Sequence, residues 1–342
     1  MINEEEIYDM TIVGGGPVGM FTAFYAGMRQ ASVKVIESLP ELGGQLGALY
    51  PDKYVYDVAG LPKIKGSDLV DGLKEQMQHF DNEVCLNEEV VEVTKENGVF
   101  VIRTNRQTHY SRTIIITAGN GAFKPRPMKL EKEHLFKDKN LHYSIKDLKS
   151  FKDRDVVVFG GGDSAVDWAL MLEETASSVT IVHRREQFRA HDYSVKKLQE
   201  STVHVLTPFK PTEIMGESNV ESIKLQQLKG DLEMELEADD FIVNYGFTSN
   251  LGPINDWGLN IEKNCICVNQ KGETNIPGIY AVGDISTYEG KVQLMATGFG
   301  DAPIAVSNAK VFIDPEQSLT TAHSTTIMER ENKKKKKKTV TG

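Results

Sequence analysis

Two glycine-rich turns carry the chemistry that can be read from this chain of 342 residues. The first lies in Met10-Thr11-Ile12-Val13-Gly14-Gly15-Gly16-Pro17-Val18-Gly19, a β-branched run that ends in Gly-x-Gly-x-x-Gly and continues into an apolar, helix-forming segment. The order strand, tight turn, helix suits a dinucleotide. Gly14 permits the turn, Gly16 lets a pyrophosphate approach the backbone, and Gly19 lets the helix lie close to the strand. The free amides and positive end of that helix favour the phosphate charge. A second strand, residues 32–36, ends at the acid Glu37, 23 residues past Gly14. A carboxylate there can accept hydrogen bonds from both ribose hydroxyls.

The pattern then recurs. Asp155-Val156-Val157-Val158-Phe159 leads into Gly160-Gly161-Gly162-Asp163-Ser164-Ala165, and Ser178-Val179-Thr180-Ile181-Val182 follows as the next strand. The offset is a constant 146 residues: Gly14 maps to Gly160, Ser32 to Ser178, and Glu37 to His183. A repeat without slip means two dinucleotide-binding units in one polypeptide. The second differs at its acid position, where His183 is followed by Arg184 and Arg185. An acid would repel a 2′-phosphate; arginines bind it by charge-assisted, often bidentate hydrogen bonds. The first unit therefore suits a dinucleotide with a free adenosine ribose. The second suits NADP(H), held by Gly160, Gly162, Ala165, Arg184 and Arg185, with Arg189 assisting and His183 at the adenosine end.

The remaining elements must position these turns. A loop with Leu42-Gly43-Gly44-Gln45-Leu46 follows the first acid, and a helix begins near Ser67 or Asp68, either of which can cap it. Strands are expected over 84–93, 99–104 and 113–118, and the chain crosses between domains near 118–125. After 190 come an amphipathic helix to Glu200 and strands near 203–206, 223–228 and 241–244. The stretch Asn275-Ile276-Pro277-Gly278-Ile279-Tyr280-Ala281-Val282-Gly283-Asp284 ends another buried strand in Gly-Asp, which suits a ribityl or pyrophosphate contact. A helix over about 295–312 and an extension with His323-Ser324-Thr325-Thr326 complete the order. The expected architecture is α/β, with two Rossmann-like dinucleotide-binding domains: 1–119 with 280–330, and 120–279. The lysine-rich tail, 331–342, is expected to be disordered.

Composition narrows the class. With 40% hydrophobic residues the chain can bury a sizeable core. Net charge is −10, and six of the positive charges fall in the run 333–338, leaving the rest near −16, which disfavours nucleic acid. No signal peptide or membrane span is expected. Three cysteines, Cys85, Cys265 and Cys267, fit a reducing cytoplasm and not a disulfide framework. No metal site is assigned.

These motifs resemble the two-dinucleotide flavoprotein reductases, and within them the thioredoxin-reductase-like ferredoxin–NADP⁺ reductase family. The phrases that carry the closer likeness are Glu37-Ser38-Leu39-Pro40, Leu42-Gly43-Gly44-Gln45-Leu46, Val243-Asn244-Tyr245-Gly246-Phe247 and His323-Ser324-Thr325. The resemblance spans 7–328 and implies a homodimer with FAD in the first unit and NADPH in the second. It carries FAD contacts over to Glu37, Gln45, Tyr50, Val90, Phe123, Asp284 and Thr325. Tyr50 would stack on the flavin and His323 would lie near its other face.

Cysteine placement agrees. A disulfide reductase needs a redox pair beside the flavin. Residues 38–60 contain no Cys, nor does Leu141-His142-Tyr143-Ser144-Ile145-Lys146-Asp147 before the second turn. Cys265 and Cys267 read as strand residues, and Cys85 as core. Electrons must then leave a reduced flavin directly, singly through a semiquinone, toward ferredoxin or flavodoxin. No acid–base residue is assigned, because hydride transfer depends on orientation. The two domains are expected to hinge near 118–125 and 275–282. Docking of an acidic carrier needs a local basic patch, with Lys124, Arg126, Lys129 and Lys132, or the lysine tail, as candidates. The other functions considered are an NADPH-dependent flavin oxidase or quinone reductase, a thioredoxin-reductase-type disulfide reductase, and a non-catalytic flavin or NADP(H) sensor.

Overall fold

In the computed structural model, residues 4–137, 139–145, 147–320, 322–329 and 333 are described, with backbone alone at 5, 122–124 and 249. The chain divides into two units, Met1–Ala122 with Asn250–Gly342, and Phe123–Ser249.

The first unit starts as β1 (Ile7–Val13), α1 (Pro17–Met28) and β2 (Val33–Ile36). Next come α2 (Gly44–Leu49) and α3 (Gly66–Met77). The strands β3 (Asn82–Cys85), β4 (Val90–Glu96), β5 (Val99–Thr104) and β6 (Thr108–Ile116) follow. They form a sheet ordered β3-β2-β1-β6-β5-β4. The run expected as one strand over 84–93 is two, broken by Asn87 at φ +54°, whose amide turns to Leu39 O. The first turn of α3 is not capped by Ser67 or Asp68. It begins at Gly66, and loop carbonyls take its free amides: Gly66 N–H donates to Lys53 O at 2.9 Å and Ser67 N–H to Pro51 O at 2.8 Å.

The second unit is a parallel sheet of β7 (Leu141–His142), β8 (Asp155–Gly160), β9 (Ser178–Val182), β10 (His204–Leu206) and a returning strand, with α4 (Asp163–Glu173) and α5 (Asp192–Glu200) packed on it. A three-stranded antiparallel layer, β11 (Phe209–Met215), β12 (Ser222–Gln227) and β13 (Glu233–Glu237), precedes the returning β14 (Asp240–Asn244). Along β8, Val156 and Val158 face one apolar cluster while Val157 and Phe159 face the other, as a strand covered on both sides requires.

The sequence repeat survives as register. Met10 pairs with Val33 and Val13 with Ile36; in the second unit Val156 pairs with Val179 and Phe159 with Val182, each 146 residues on.

The chain returns to the first unit at Asn250, earlier than the expected 280. The reason is burial: Leu251, Ile254, Trp257, Leu259 and Ile266 pack with Val13, Ile36, Ile114 and Ile116 on one face of the first sheet. The expected crossing at 118–125 contains the observed one, whereas the second lies at 249/250 rather than 275–282. β15 (Ile279–Ala281) then pairs with β6, and α6 (Met295–Ile313) packs on the opposite face with α1. Among the described residues no helix is long and apolar enough to cross a membrane.

Candidate functional site

In the first unit the Gly14–Gly19 turn is shaped by what a side chain would strike. Gly14 has φ +113°, and a Cβ there would lie 2.7 Å from Thr117 O. One on Gly19 would lie 2.0 Å from Gly14 O, so α1 sits against β1 only because that carbon is missing. At Gly16 a Cβ would meet nothing nearer than Gly44 Cα at 3.9 Å, so the turn has an open side. Gly44, with φ +55°, fits against it where a Cβ would come within 3.0 Å of Gly16 Cα. The amide of Gly43 donates to Gly15 O at 2.9 Å. These contacts lay α2 on the turn, with Gln45 in its first turn and Tyr50 at its end.

Glu37 is buried and held by three donors. Gly15 N–H donates to Oε2 at 2.6 Å, Leu39 N–H to Oε1 at 2.8 Å, and Ser38 Oγ–H to Oε1 at 3.2 Å. Oε1 already has two donors, and Oε2, with one, has a second acceptor site left for a hydroxyl. Two amides and a hydroxyl thus orient this acid before any ligand arrives.

Asp284 follows β15 in a short helical turn, Gly283–Ile285. Burial pushes its carboxyl above the usual range, Asp301 adds to the rise, and Lys291 opposes it. Among the described residues its carboxylate accepts no hydrogen bond. Its backbone is fixed: Asp284 O accepts from Gln293 Nε2 at 3.3 Å, and Gly283 N–H donates to Asp301 Oδ2 at 3.3 Å. Asp301 is in turn held by Tyr288 OH at 3.2 Å and by the buried Lys291 ammonium. An open glycine turn, an oriented acid and a half-buried carboxyl without a partner fit a flavin dinucleotide.

In the second unit a Cβ on Gly160 would lie 2.5 Å from Asn244 O and 2.6 Å from Ala165 Cβ, and one on Gly161 would enter the His183 ring at 2.3 Å. Gly162 faces open space. The His183 ring stacks on Phe188 at 5.2 Å. Burial lowers its pKa, and Arg185, Arg184 and Arg189 lower it further, against a Gln187 backbone hydrogen bond. The ring is therefore neutral at pH 7, and its Nε2 is buried without a partner among the described residues, as is Asn244 Nδ2. Two straps close the loop onto the turn: Arg189 N–H donates to Gly161 O at 2.7 Å, and His191 N–H to Asp163 Oδ1 at 2.8 Å. Arg184, Arg185 and Arg189 are exposed at this mouth. Three cations, an open glycine and two unmatched polar nitrogens fit a phosphorylated nucleotide.

The structure thus brings Gly14, Gly16, Gly19, Glu37 and Gln45 to one turn and Gly160, Gly162, Ala165, His183, Arg184 and Arg185 to another. Val90 is buried at the start of β4, in the cluster that contains Val13 and Ile36. The Phe123 and Lys124 side chains lie outside the described residues, as does the lysine run from 334 onward. His323 and Thr325 are exposed, and among the described residues no hydrogen bond or ring contact joins them to the Gly14 turn. The segment before them is fastened by Arg29, at the end of α1 away from that turn, to Ser318 O and Leu319 O. Arg126, Lys129 and Lys132 are exposed in the second unit.

Sequence reasoning gave no role to Asn244. It occupies the place beside Gly160 that Thr117 occupies beside Gly14, but not at the offset of 146, because the antiparallel layer changes the spacing. Asp301 and Lys291 also went unremarked; an Asp ten residues after a Lys gives no local signal.

Cys85, Glu88 and His109 bring one ligand atom each within 4.8 Å of one another. Both ring nitrogens are already engaged: Nδ1 with Lys34 Nζ at 2.9 Å and Nε2 with Glu88 at 2.6 Å. Burial and the Glu88 and Glu83 charges push the Cys85 thiol up to about 11. The group is a hydrogen-bonded polar core. Cys265 and Cys267 lie on one short strand and are free thiols, with Cys265 against Asp284 O at 3.6 Å.

The profile of a family described as pyridine nucleotide-disulphide oxidoreductase matches residues 8–309. Ferredoxin–NADP reductase 2 of Bacillus velezensis is 59% identical over 331 residues, 96% of this chain and 100% of the relative. The protein of that name in Bacillus subtilis is 59% identical over 330 residues, 96% of this chain and 99% of the relative. Among solved structures, thioredoxin reductase of Lactococcus lactis is similar with a TM-score of 0.75 at 26% identity, covering 90% of this chain and 99% of that one.

Proposed function

Because this chain belongs to the pyridine nucleotide-disulphide oxidoreductase family, and within it to the thioredoxin-reductase-like ferredoxin–NADP reductases, we propose that its first unit holds FAD, its second holds NADP(H), and its electron partner is ferredoxin or flavodoxin. It is an oxidoreductase that uses a flavin and a pyridine nucleotide. The observation that carries the choice of partner is the placement of its thiols. The three cysteines are free, and neither sequence position at which this superfamily carries its redox-active pair has one. A dithiol relay is therefore not what accepts the electrons.

The chemistry the flavin supplies when bound is conversion between a two-electron hydride and single electrons. The chain's own work is holding and orienting. The Gly14–Gly19 turn offers helix amides to the pyrophosphate, Glu37 accepts the adenosine ribose hydroxyls, and Asp284 accepts from the ribityl chain. Gln45, Tyr50, Val90 and Phe123 complete the FAD contacts, Tyr50 by stacking. At the other site Arg184 and Arg185 take the 2′-phosphate, Gly162 leaves room for the pyrophosphate, and His183 and Asn244 offer nitrogens to the nucleotide. The assembly is a homodimer in the cytoplasm.

NADPH-driven cytochrome c reduction, with and without ferredoxin, and with thioredoxin as the parallel acceptor, tests this reading. Ferredoxin-dependent turnover is expected. Equal turnover without a protein carrier refutes it in favour of an oxidase or quinone reductase, and thioredoxin reduction refutes it in favour of a disulfide reductase.

A further inference from the structure

Glu37 is gripped through its backbone as well as through its carboxylate. Glu37 N–H donates to Cys85 O at 2.8 Å, Glu88 N–H donates to Glu37 O at 2.9 Å, and Asn87 N–H donates to Leu39 O at 2.9 Å. The segment 85–88, where β3 gives way to β4, therefore fixes Glu37 on both sides. It also fixes Leu39, whose own amide binds Glu37 Oε1. What fixes this segment is polar and buried. Glu88 is 3% exposed, and its Oε1 accepts from Thr104 Oγ1–H and from His109 Nε2–H, each at 2.6 Å. Gln107 Nε2 lies 3.4 Å from Oε2. His109 is 3% exposed and Lys34 7%, with Lys34 Nζ 2.9 Å from the ring Nδ1. An ammonium only donates, so Nδ1 accepts and the ring proton stands on Nε2, facing Glu88. Glu83 answers the Lys34 charge at 3.1 Å. These contacts leave β2 at Lys34 and return, through His109, Glu88 and the segment 85–88, to Glu37 at the end of the same strand.

We propose that Glu88, oriented by His109, is a positioning residue for the cofactor: it holds Glu37 where the open acceptor site on Oε2 meets the adenosine ribose of FAD. The inference rests on the FAD assignment above. Energetics favour a role in geometry. A buried charged network has no stability advantage over apolar residues of the same volume, because desolvation offsets its attraction. What it adds is direction, since each hydrogen bond is met at one angle and distance. Connectivity favours it too. Glu88 reaches Glu37 through a backbone hydrogen bond, so its action is on where the acid stands. With a single acceptor site open on Oε2, a small shift of that backbone misdirects the carboxylate.

The test is a double-mutant cycle on the full chain stripped of flavin. FAD is titrated by fluorescence quenching into the wild type, Glu88→Ala and Glu88→Gln, and into each of these combined with Glu37→Gln. Glu88→Ala is expected to raise the FAD Kd on the order of 10-fold. With Glu37→Gln already in place the same change should add less than about 2-fold, because the group it positions is gone. Glu88→Gln should stay within about 3-fold of wild type, since its carboxamide oxygen can keep the bonds from Thr104 and His109. The Kd for NADP⁺, read by calorimetry on the same samples, should not move. If Glu88→Ala does not fold, His109→Asn takes its place in the cycle with the same pattern expected; its amide can accept from Lys34 but does not reach Glu88. An unchanged FAD Kd, an equal fold-rise with and without Glu37→Gln, or no recovery by Glu88→Gln overturns the assignment. A wild-type chain that takes up no FAD overturns the functional reading, and the inference falls with it.

Discussion

Changing Glu37 to Gln removes one charge and alters almost no volume, yet two separate losses follow. The carboxylate accepts from the Gly15 amide at 2.6 Å and from the Leu39 amide at 2.8 Å. A carboxamide has one oxygen, so its NH₂ must face one of these donors. An unmatched buried N–H costs about 1–3 kcal/mol. The flavin-free protein should therefore lose about 2 kcal/mol, a fall in Tm of roughly 4–8 °C for a unit of this size. The second loss needs the ligand. One ribose hydroxyl loses a charged acceptor worth about 1.5–3 kcal/mol, so the FAD Kd should rise roughly 10- to 100-fold. Thermal unfolding of the flavin-free protein reads the first loss, and flavin fluorescence quenching on titration reads the second. A flavin-free Tm within a degree of wild type refutes the clamp of amides on Glu37. An unchanged FAD Kd refutes its role at the ribose, whatever the Tm does.

Arg184→Ala with Arg185→Ala should lower the preference for NADPH over NADH about 100-fold, taking exposed charge-assisted bonds at about 1.5 kcal/mol each; kcat/KM with ferricyanide for both nucleotides measures it, and an unaltered ratio removes these residues from the phosphate site. Gly19→Ala puts a methyl 2.0 Å from Gly14 O, so α1 must lift from β1 and the purified protein should lack its yellow colour; normal flavin content would contradict this packing. Burial raises the Asp240 carboxyl, but hydrogen bonds from His142 and Arg154 outweigh it and hold the group below its ordinary 3.8. Its stabilising contribution is thus present above the unfolded value and lost as pH falls through the lower folded one. The wild-type advantage over Asp240→Asn in Tm should accordingly shrink below about pH 4, and a constant difference between pH 2 and 6 would count against it.

Legibility followed from how local each constraint is. The two strand–turn–helix units were readable because their requirements act within about 30 residues. The strand register, offset by 146, follows from the same pattern. The helix expected over 295–312 is observed as Met295–Ile313, since its apolar run has no competing partner nearby in sequence. Ser67 and Asp68 misled because cap preference is a local rule, and here a distant loop already supplied the carbonyls. The boundary at 280 misled for a related reason. Residues 251–266 contain short, weakly patterned segments, and only the apolar face they cover says which unit owns them.

Residue order by itself carries the grounds for the proposed ligands: an acid, Glu37, where a free ribose is proposed, Arg184 and Arg185 where a phosphorylated one is proposed, and no cysteine in residues 38–60 or 141–147. Those are properties of side-chain chemistry at set spacing along one chain. Three-dimensional packing fixed how firmly each group is held. It set two amides on Glu37, drew Asn244 to the place that Thr117 has in the other unit, and braced the Gly283 turn with Asp301 and Lys291. It also left His323 and Thr325 exposed beyond the segment that Arg29 fastens. Each of these joins residues far apart in sequence, and spacing along a chain has no term for contacts that exist only once the sheet and its helices have closed.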